Sequence, residues 1–87
     1  MGMDQQATDE QAVLWLGYSG LSAECAAVTA ILQYQQTWDR RIIQAFGRVP
    51  SGVRSVVLLE DGRALPARRA CDDLRDQWTA WKERSAS

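Results

Sequence analysis

The first apolar segment of the chain is the five-residue run AVLWL, residues 12–16. So short a run is compatible with a buried strand or with a helix, because it is too brief to reveal a period. The preceding residues Thr8 to Gln11 have the spacing of a capping box, in which a threonine hydroxyl and a glutamine side chain bond the backbone at a helix start. The pattern therefore predicts a short helix over about residues 9–18, with a strand as the alternative.

A second pattern runs from residue 23 to residue 46, where Gly and Pro are absent and apolar side chains recur at steps of three and four. Ser22 is a suitable N-cap, and Gly47 followed by Pro50 is typical of a helix end. We therefore expect one long helix, about 36 Å in length at 1.5 Å per residue. Because this exceeds what so small a core requires, part of it is expected to project or to contact a second copy. Its apolar stripe comprises Ala27, Ile31, Tyr34, Trp38, Ile42 and Ala45.

The segment RSVVLLEDGRALPARR, residues 54–69, has the features of a β-hairpin. Asp61-Gly62 is a preferred centre for a two-residue type I′ turn, and that register places Glu60 opposite Arg63. Pro66 has no N–H for the ladder, so the second strand is expected to stop there. A lone hairpin is marginal in water. It must therefore pack on the helices or gain a third strand, either from residues 12–16 or from another copy.

The last element is a helix expected over about residues 67–83, with an apolar stripe and a charged opposite side. Together these patterns predict an α+β fold that is small, mainly helical and a single domain. Its order is short helix or strand, long helix, β-hairpin and C-terminal helix. The compact domain is expected over residues 8–84, between flexible ends at 1–7 and 85–87. The stripe of the last helix comprises Ala67, Ala70, Cys71, Leu74, Trp78 and Trp81.

With 87 residues the chain lies near the lower size limit for one hydrophobic core. A homodimer therefore stays open as a second way to bury apolar surface. No segment approaches the ~20 apolar residues of a membrane span. The start of the chain is acidic and its apolar run is short, which argues against a signal peptide. We expect a cytoplasmic protein without a membrane partner.

The charge is distributed unevenly along the chain. Residues 1–38 carry four acids and no base, residues 39–69 carry seven arginines and three acids, and residues 70–87 carry four acids and three bases. The net charge of −1 therefore conceals a basic middle segment, and asymmetry of this kind indicates an anionic partner.

Some of these arginines have candidate partners within the chain. Arg68 and Arg69 precede Asp72 and Asp73 by four residues on the predicted last helix, a spacing that favours ion pairs. Arg63 would likewise face a glutamate across the hairpin, whereas the arginines between residues 40 and 54 have no obvious partner. The predicted partner-binding surface comprises Arg40, Arg41, Gln44, Arg48, Arg54 and Arg63.

The sequence contains no histidine and only two cysteines, Cys25 and Cys71. Ser-His and Cys-His nucleophile pairs cannot form, and two cysteines without histidine cannot make a tetrahedral zinc site. Both cysteines occupy apolar positions and are expected to be buried, reduced thiols. We therefore predict no catalytic residues, no cofactor and no metal, so that the protein is not an enzyme.

The favoured function is that of a small non-enzymatic binding protein, an inhibitor, adaptor or regulator of the kind that viruses and mobile elements encode. Its arginines would pair with an acidic protein surface, or else with a nucleic-acid backbone. The alternative is a DNA-binding transcriptional regulator that reads DNA with one polar side of the long helix. That side comprises Gln33, Gln36, Thr37, Arg40 and Gln44.

Overall fold

The computed structural model describes residues 12–86, which form five strands and two α-helices. Two short 3₁₀ turns, Cys25–Ala27 and Gln36–Trp38, connect some of them. The α+β class expected from the sequence is confirmed, although helix does not dominate. The strands are β1 (Val13–Trp15), β2 (Ser22–Glu24), β3 (Val28–Gln33), β4 (Ser55–Leu59) and β5 (Ala64–Ala67), and the helices are α1 (Asp39–Phe46) and α2 (Cys71–Ala86).

The described elements stack in three layers around an antiparallel sheet of order β3-β4-β5. Helix α1 covers one face of this sheet, where Ile42 packs with Val56 and Ala64. The other face is covered by the β1–β2 hairpin and by α2. There Leu14, Leu16 and Leu74 belong to one buried cluster with residues of the sheet. The two helices therefore lie on opposite sides of the central sheet.

The run at residues 12–16 is a strand, so the helix preferred from the sequence is wrong and the strand alternative is confirmed. Leu14 and Leu16 are buried whereas Trp15 between them is exposed, the alternation of a strand with one covered face. Strand β1 pairs antiparallel with β2, Leu14 lying opposite Ala23. The capping box at residues 8–11 and the flexible segment at 1–7 lie outside the described residues.

The long helix expected over residues 23–46 is also wrong, because only Asp39–Phe46 is α-helical. The central strand β4 is almost wholly buried and needs a neighbour on each side. The β-branched segment Val28–Gln33 supplies that neighbour as β3. Tertiary pairing thus overrides the helical spacing of the same apolar residues. The end of the helix is predicted correctly, since Gly47 at φ +98° caps it and donates its N–H to Ile43 O at 2.8 Å.

The hairpin β4–β5 is confirmed, but its register differs by one residue from the prediction. Leu58 lies opposite Ala64 rather than Leu65, and the amide of Leu59 donates to Arg63 O at 3.0 Å. The turn is therefore one residue longer than predicted, with Gly62 at φ +92°. In this register Glu60 does not face Arg63. Pro66 lies within β5, opposite Val56, because β5 is an edge strand that needs a ladder on one side only.

The C-terminal helix is confirmed, although it starts at Cys71, because Ala67 belongs to β5 and residues 68–70 connect the strand to the helix. Its buried contacts include Leu74, with an exposed fraction of 0%. Two polar side chains also fix α2 to the strands: Trp78 Nε1 donates to Cys25 O at 3.2 Å, and Arg75 Nε donates to Ile31 O at 2.9 Å. The helix continues to Ala86 and so includes two of the three residues assigned to the flexible C-terminal segment.

The cysteines are free thiols, Cys25 buried and Cys71 half-buried. Burial raises the pKa of the Cys25 thiol above its ordinary value. Within residues 12–86, no three His, Cys, Asp or Glu side chains converge in an arrangement that could hold a metal ion. Neither does this part of the chain contain a helix with the length and apolar character needed to cross a membrane.

Candidate binding surface

Helix α1 has one buried side and one side that faces outward. Ile42 is fully buried against the sheet, whereas the next residue, Ile43, has an exposed fraction of 48%. The polar residues around Ile43 are exposed as well. We use the name α1 face for the exposed set Arg40, Arg41, Ile43, Gln44 and Arg48.

The acid of α1 is engaged by the protein itself. Tyr34 Oη donates to Asp39 Oδ1 at 2.5 Å, next to the cluster in which Tyr34 and Trp38 pack against Ile42. This hydrogen bond retains the phenolic proton and raises the pKa of Tyr34. Since α1 contains no other acidic residue, its arginines have no carboxylate partner within the helix.

The arginines of the α1 face differ in how firmly they are held. Arg41 Nη2 donates to Gly62 O at 2.8 Å, and its guanidinium lies 5.3 Å from the centre of the Trp38 ring. The side chains of Arg40 and Arg48 make no hydrogen bond or ion pair with the described part of the chain. The face therefore combines one positioned guanidinium with two that are available to a partner.

Arg63 lies beside the α1 face but is already paired. Its neighbour Gly62 accepts the hydrogen bond from Arg41, which brings the turn and the helix together. Arg63 Nε contacts Asp61 Oδ2 at 2.8 Å, and the Arg63 backbone N–H donates to Asp61 Oδ1 at 3.0 Å. The partner predicted for Arg63, Glu60, is thus replaced by Asp61, because the longer turn changes the register.

Arg54 lies far from the hairpin turn that carries Arg63. It precedes β4 at the end opposite the turn, and five residues of strand span about 17 Å. Arg54 instead lines a shallow pocket with Gln33 and Asp72 at the start of α2. The structure therefore places Arg40, Arg41 and Gln44 on α1, Arg48 just after its end, and Arg63 beside them. Arg54 lies at the opposite end of β4 from Arg63, and its carbonyl accepts a hydrogen bond from Tyr34 N at 3.1 Å.

The ion pairs predicted on the last helix are absent from residues 12–86. Arg69 precedes α2 and donates through Nη1 to Trp15 O at 3.3 Å and to Gln77 Oε1 at 2.8 Å. Arg68 is exposed, and neither arginine pairs with Asp72 or Asp73. The prediction failed because both arginines lie before the helix starts and so lack the helical i,i+4 geometry.

Sequence reasoning missed the apolar members of the exposed surface, Ile43 and Trp15. A usable signal was present for Ile43, since two consecutive isoleucines on a helix point about 100° apart and cannot both face one sheet. For Trp15 the signal depended on recognising β1 as a strand, where neighbouring side chains alternate.

The Asp61–Arg63 pair gives a pH-dependent prediction. Hydrogen bonding from the Arg63 backbone N–H, with a further contribution from its guanidinium, lowers the pKa of Asp61. The stabilisation is therefore present above the unfolded carboxyl pKa of about 3.9 and is lost as the pH falls through the lower folded value. We expect an NMR titration of the Asp61 carboxyl carbon to have its midpoint below about 3.9.

Arg63→Ala is the control for this titration, because it removes the guanidinium and keeps the backbone N–H. The Asp61 midpoint should rise in this variant and yet remain below the ordinary carboxyl value. A wild-type midpoint at or above that value, or one unaffected by Arg63→Ala, would show that the pair does not form in solution.

No protein-family model, curated protein or solved structure matches this chain at a significant level. Its function must therefore be argued from the geometry of the α1 face and of the rest of the surface.

Proposed function

We propose that the protein is a non-enzymatic binding protein that docks its α1 face on an acidic surface of a macromolecular partner in the cytoplasm. In this role it acts as an inhibitor, adaptor or regulator. The observation that carries the proposal is the half-exposed Ile43, which shares the outward side of α1 with the exposed side chains of Arg40 and Gln44. An apolar residue ringed by polar side chains is the usual anatomy of a protein interface.

The chemistry of this face suits carboxylates. A guanidinium offers a planar fork of donors that can bind a carboxylate through two hydrogen bonds. Arg41 is already held by Gly62 and Trp38, so it loses less conformational entropy on binding than a free side chain would. A second copy is a poorer partner, because a two-fold contact at this face would oppose its arginines to one another.

Two features support binding rather than catalysis or DNA reading. The lack of histidine removes the commonest general base. The side chains proposed to read DNA are distributed over three elements, since Gln33 belongs to β3, Gln36 and Thr37 to a 3₁₀ turn, and Arg40 to α1. They therefore do not share one helical surface that could enter a groove.

The test compares two charge reversals, Arg40→Glu and Arg54→Glu. Each variant is immobilised, incubated with lysate of the native host, and its captured proteins are quantified by mass spectrometry. We expect Arg40→Glu to reduce capture of the partner at least about tenfold and Arg54→Glu to leave it unchanged. Arg40→Glu should not disturb folding, because an acid in the first turn of a helix is favourable.

Equal capture by both variants would contradict the proposal, as would loss of capture with Arg54→Glu alone. A parallel titration against duplex DNA, at about 50 mM and about 200 mM salt, tests the DNA-binding alternative. Affinity that falls with salt by a slope equivalent to several phosphates would favour DNA. We expect no such binding.

A further inference from the structure

Strand β1 has one paired edge and one edge without a strand partner among residues 12–86. The Cys25 N–H donates to Ala12 O at 2.9 Å, and the Leu16 N–H donates to Leu21 O at 3.2 Å. Residues 12 and 16 therefore direct their backbone groups towards β2. Because the direction alternates along a strand, Val13 and Trp15 direct theirs to the opposite side.

The open edge of β1 borders a groove of about 290 Å³ between this strand and α2. Residues 12–15 form one wall and Ala80 and Trp81 contribute to the other, with Cys25 between them. The side chain of Trp15 at this edge has an exposed fraction of 60%. The groove thus combines an apolar lining with the outward backbone groups of Val13 and the outward N–H of Trp15, whereas Trp15 O is held by Arg69.

Two guanidinium groups border the groove. Arg84 lines it directly, and Arg69 holds the carbonyl of Trp15 through its Nη1. Neither arginine has an ion pair with a carboxylate within the described residues. The local field therefore favours an occupant that carries negative charge.

The outer edges of the central sheet are each blocked at one position. On β3, the carbonyl of Ile31 accepts hydrogen bonds from Arg75 Nε at 2.9 Å and Cys71 Sγ at 3.6 Å. On β5, Pro66 lacks a backbone donor, a common way of blocking an edge. On β1, Arg69 holds Trp15 O in the same way, but the backbone groups of Val13 and the N–H of Trp15 still face the groove.

From this geometry we propose that an extended segment of a partner protein, with a central apolar residue flanked by carboxylates, binds in the groove as a third strand beside β1. The N–H and C=O of Val13 and the N–H of Trp15 bond its backbone, the Trp15 ring contacts its apolar side chain, and Arg69 and Arg84 attract its carboxylates. This site is separate from the α1 face, because helix α1 covers the opposite side of the central sheet. The protein would then contact two partners at once and act as an adaptor.

The test uses a synthetic peptide, acetyl-Glu-Thr-Val-Thr-Glu-amide, and its counterpart with both glutamates replaced by lysine. We expect the acidic peptide to shift the amide NMR signals of Val13 and Trp15 and to bind at least about tenfold more tightly than the lysine peptide. Alternate amides of an added strand face β1. Of two N-methylated versions, one at valine and one at both threonines, we therefore expect one to lose binding and the other to retain it.

Protein variants provide the matched comparison. Arg84→Glu should abolish the preference for the acidic peptide, because it leaves one positive and one negative charge at the groove, and Arg48→Glu, on the α1 face, should change nothing. Equal binding of both peptides, retention by both N-methylated versions, or shifts that avoid β1 would each overturn the proposal. So would concentration-dependent dimerisation, seen by light scattering and abolished by Trp15→Glu, because a second copy would then occupy the edge.

Discussion

Replacing Ile42 with alanine is expected to lower the free energy of unfolding by about 3 kcal/mol, whereas the same replacement at Ile43 is expected to change it by less than about 0.5 kcal/mol. Ile42 has an exposed fraction of 0% and packs against Val56 and Ala64. Its truncation removes apolar contacts and leaves a cavity between α1 and the sheet. Ile43 is half-exposed, so its truncation leaves no cavity.

The two variants also separate stability from binding. Urea denaturation followed by far-ultraviolet circular dichroism gives the unfolding free energies, and the capture experiment gives partner binding. Ile43→Ala should weaken capture while the fold stays intact. Equal destabilisation by the two replacements would mean that α1 is rotated relative to the structure described. Unchanged capture with Ile43→Ala would show that Ile43 does not contact the partner.

The elements that could be predicted are those whose own residues determine their ends. Gly47 ends α1 because a positive φ is cheapest for glycine, and Asp61-Gly62 marks the β4–β5 turn from within the hairpin. The apolar stripe around Leu74 and Trp78 likewise indicates α2 from local spacing alone. In each case the signal lies within a few residues of the feature.

The elements that could not be predicted depend on distant parts of the chain. Strand β3 forms because β4 needs a partner, and the pairing of Ile31 with Val57 joins residues that are far apart in sequence. A helical spacing of the same apolar residues satisfied the local criteria equally well. Strand β1 is similar, because its identity depends on pairing with β2 and on the sheet that Leu14 and Leu16 cover.

For the same reason, only part of the candidate surface could be predicted from the sequence. Arg40, Arg41 and Gln44 share a helix that the sequence indicates in that region, and Arg48 follows its end. Arg54 was grouped with them by proximity in sequence, but β4 extends away from it and places the turn at the far end. The register of the hairpin, which assigns Arg63 to Asp61, required the turn length that only the folded chain shows.

The largest effect of a single added methyl group is expected at Gly17, where the β1–β2 turn meets the segment after β5. The backbone of Gly17 has φ +91°, and a Cβ there would lie 2.9 Å from Cβ of Arg68. The adjacent Leu16 O accepts a hydrogen bond from Arg68 N at 2.7 Å, so neither segment can retreat without breaking that bond. We expect Gly17→Ala to lower the free energy of unfolding by about 3 kcal/mol, from backbone strain and steric overlap together.

Gly20→Ala is the matched control, because Gly20 has φ +73° in the same turn region but open space around its Cβ position. Gly20→Ala introduces the backbone strain without the steric overlap, and it should lower the free energy of unfolding by about 1 kcal/mol. Both replacements reduce the freedom of the unfolded chain to the same extent, so the difference in urea denaturation isolates the contact with Arg68. Equal losses of unfolding free energy in the two variants would show that the β1–β2 turn shifts to accommodate the methyl group. A larger cost at Gly17 would show that the β1–β2 turn lies as close to Arg68 in solution as it does in the structure, where the next residue, Arg69, bonds Trp15 O.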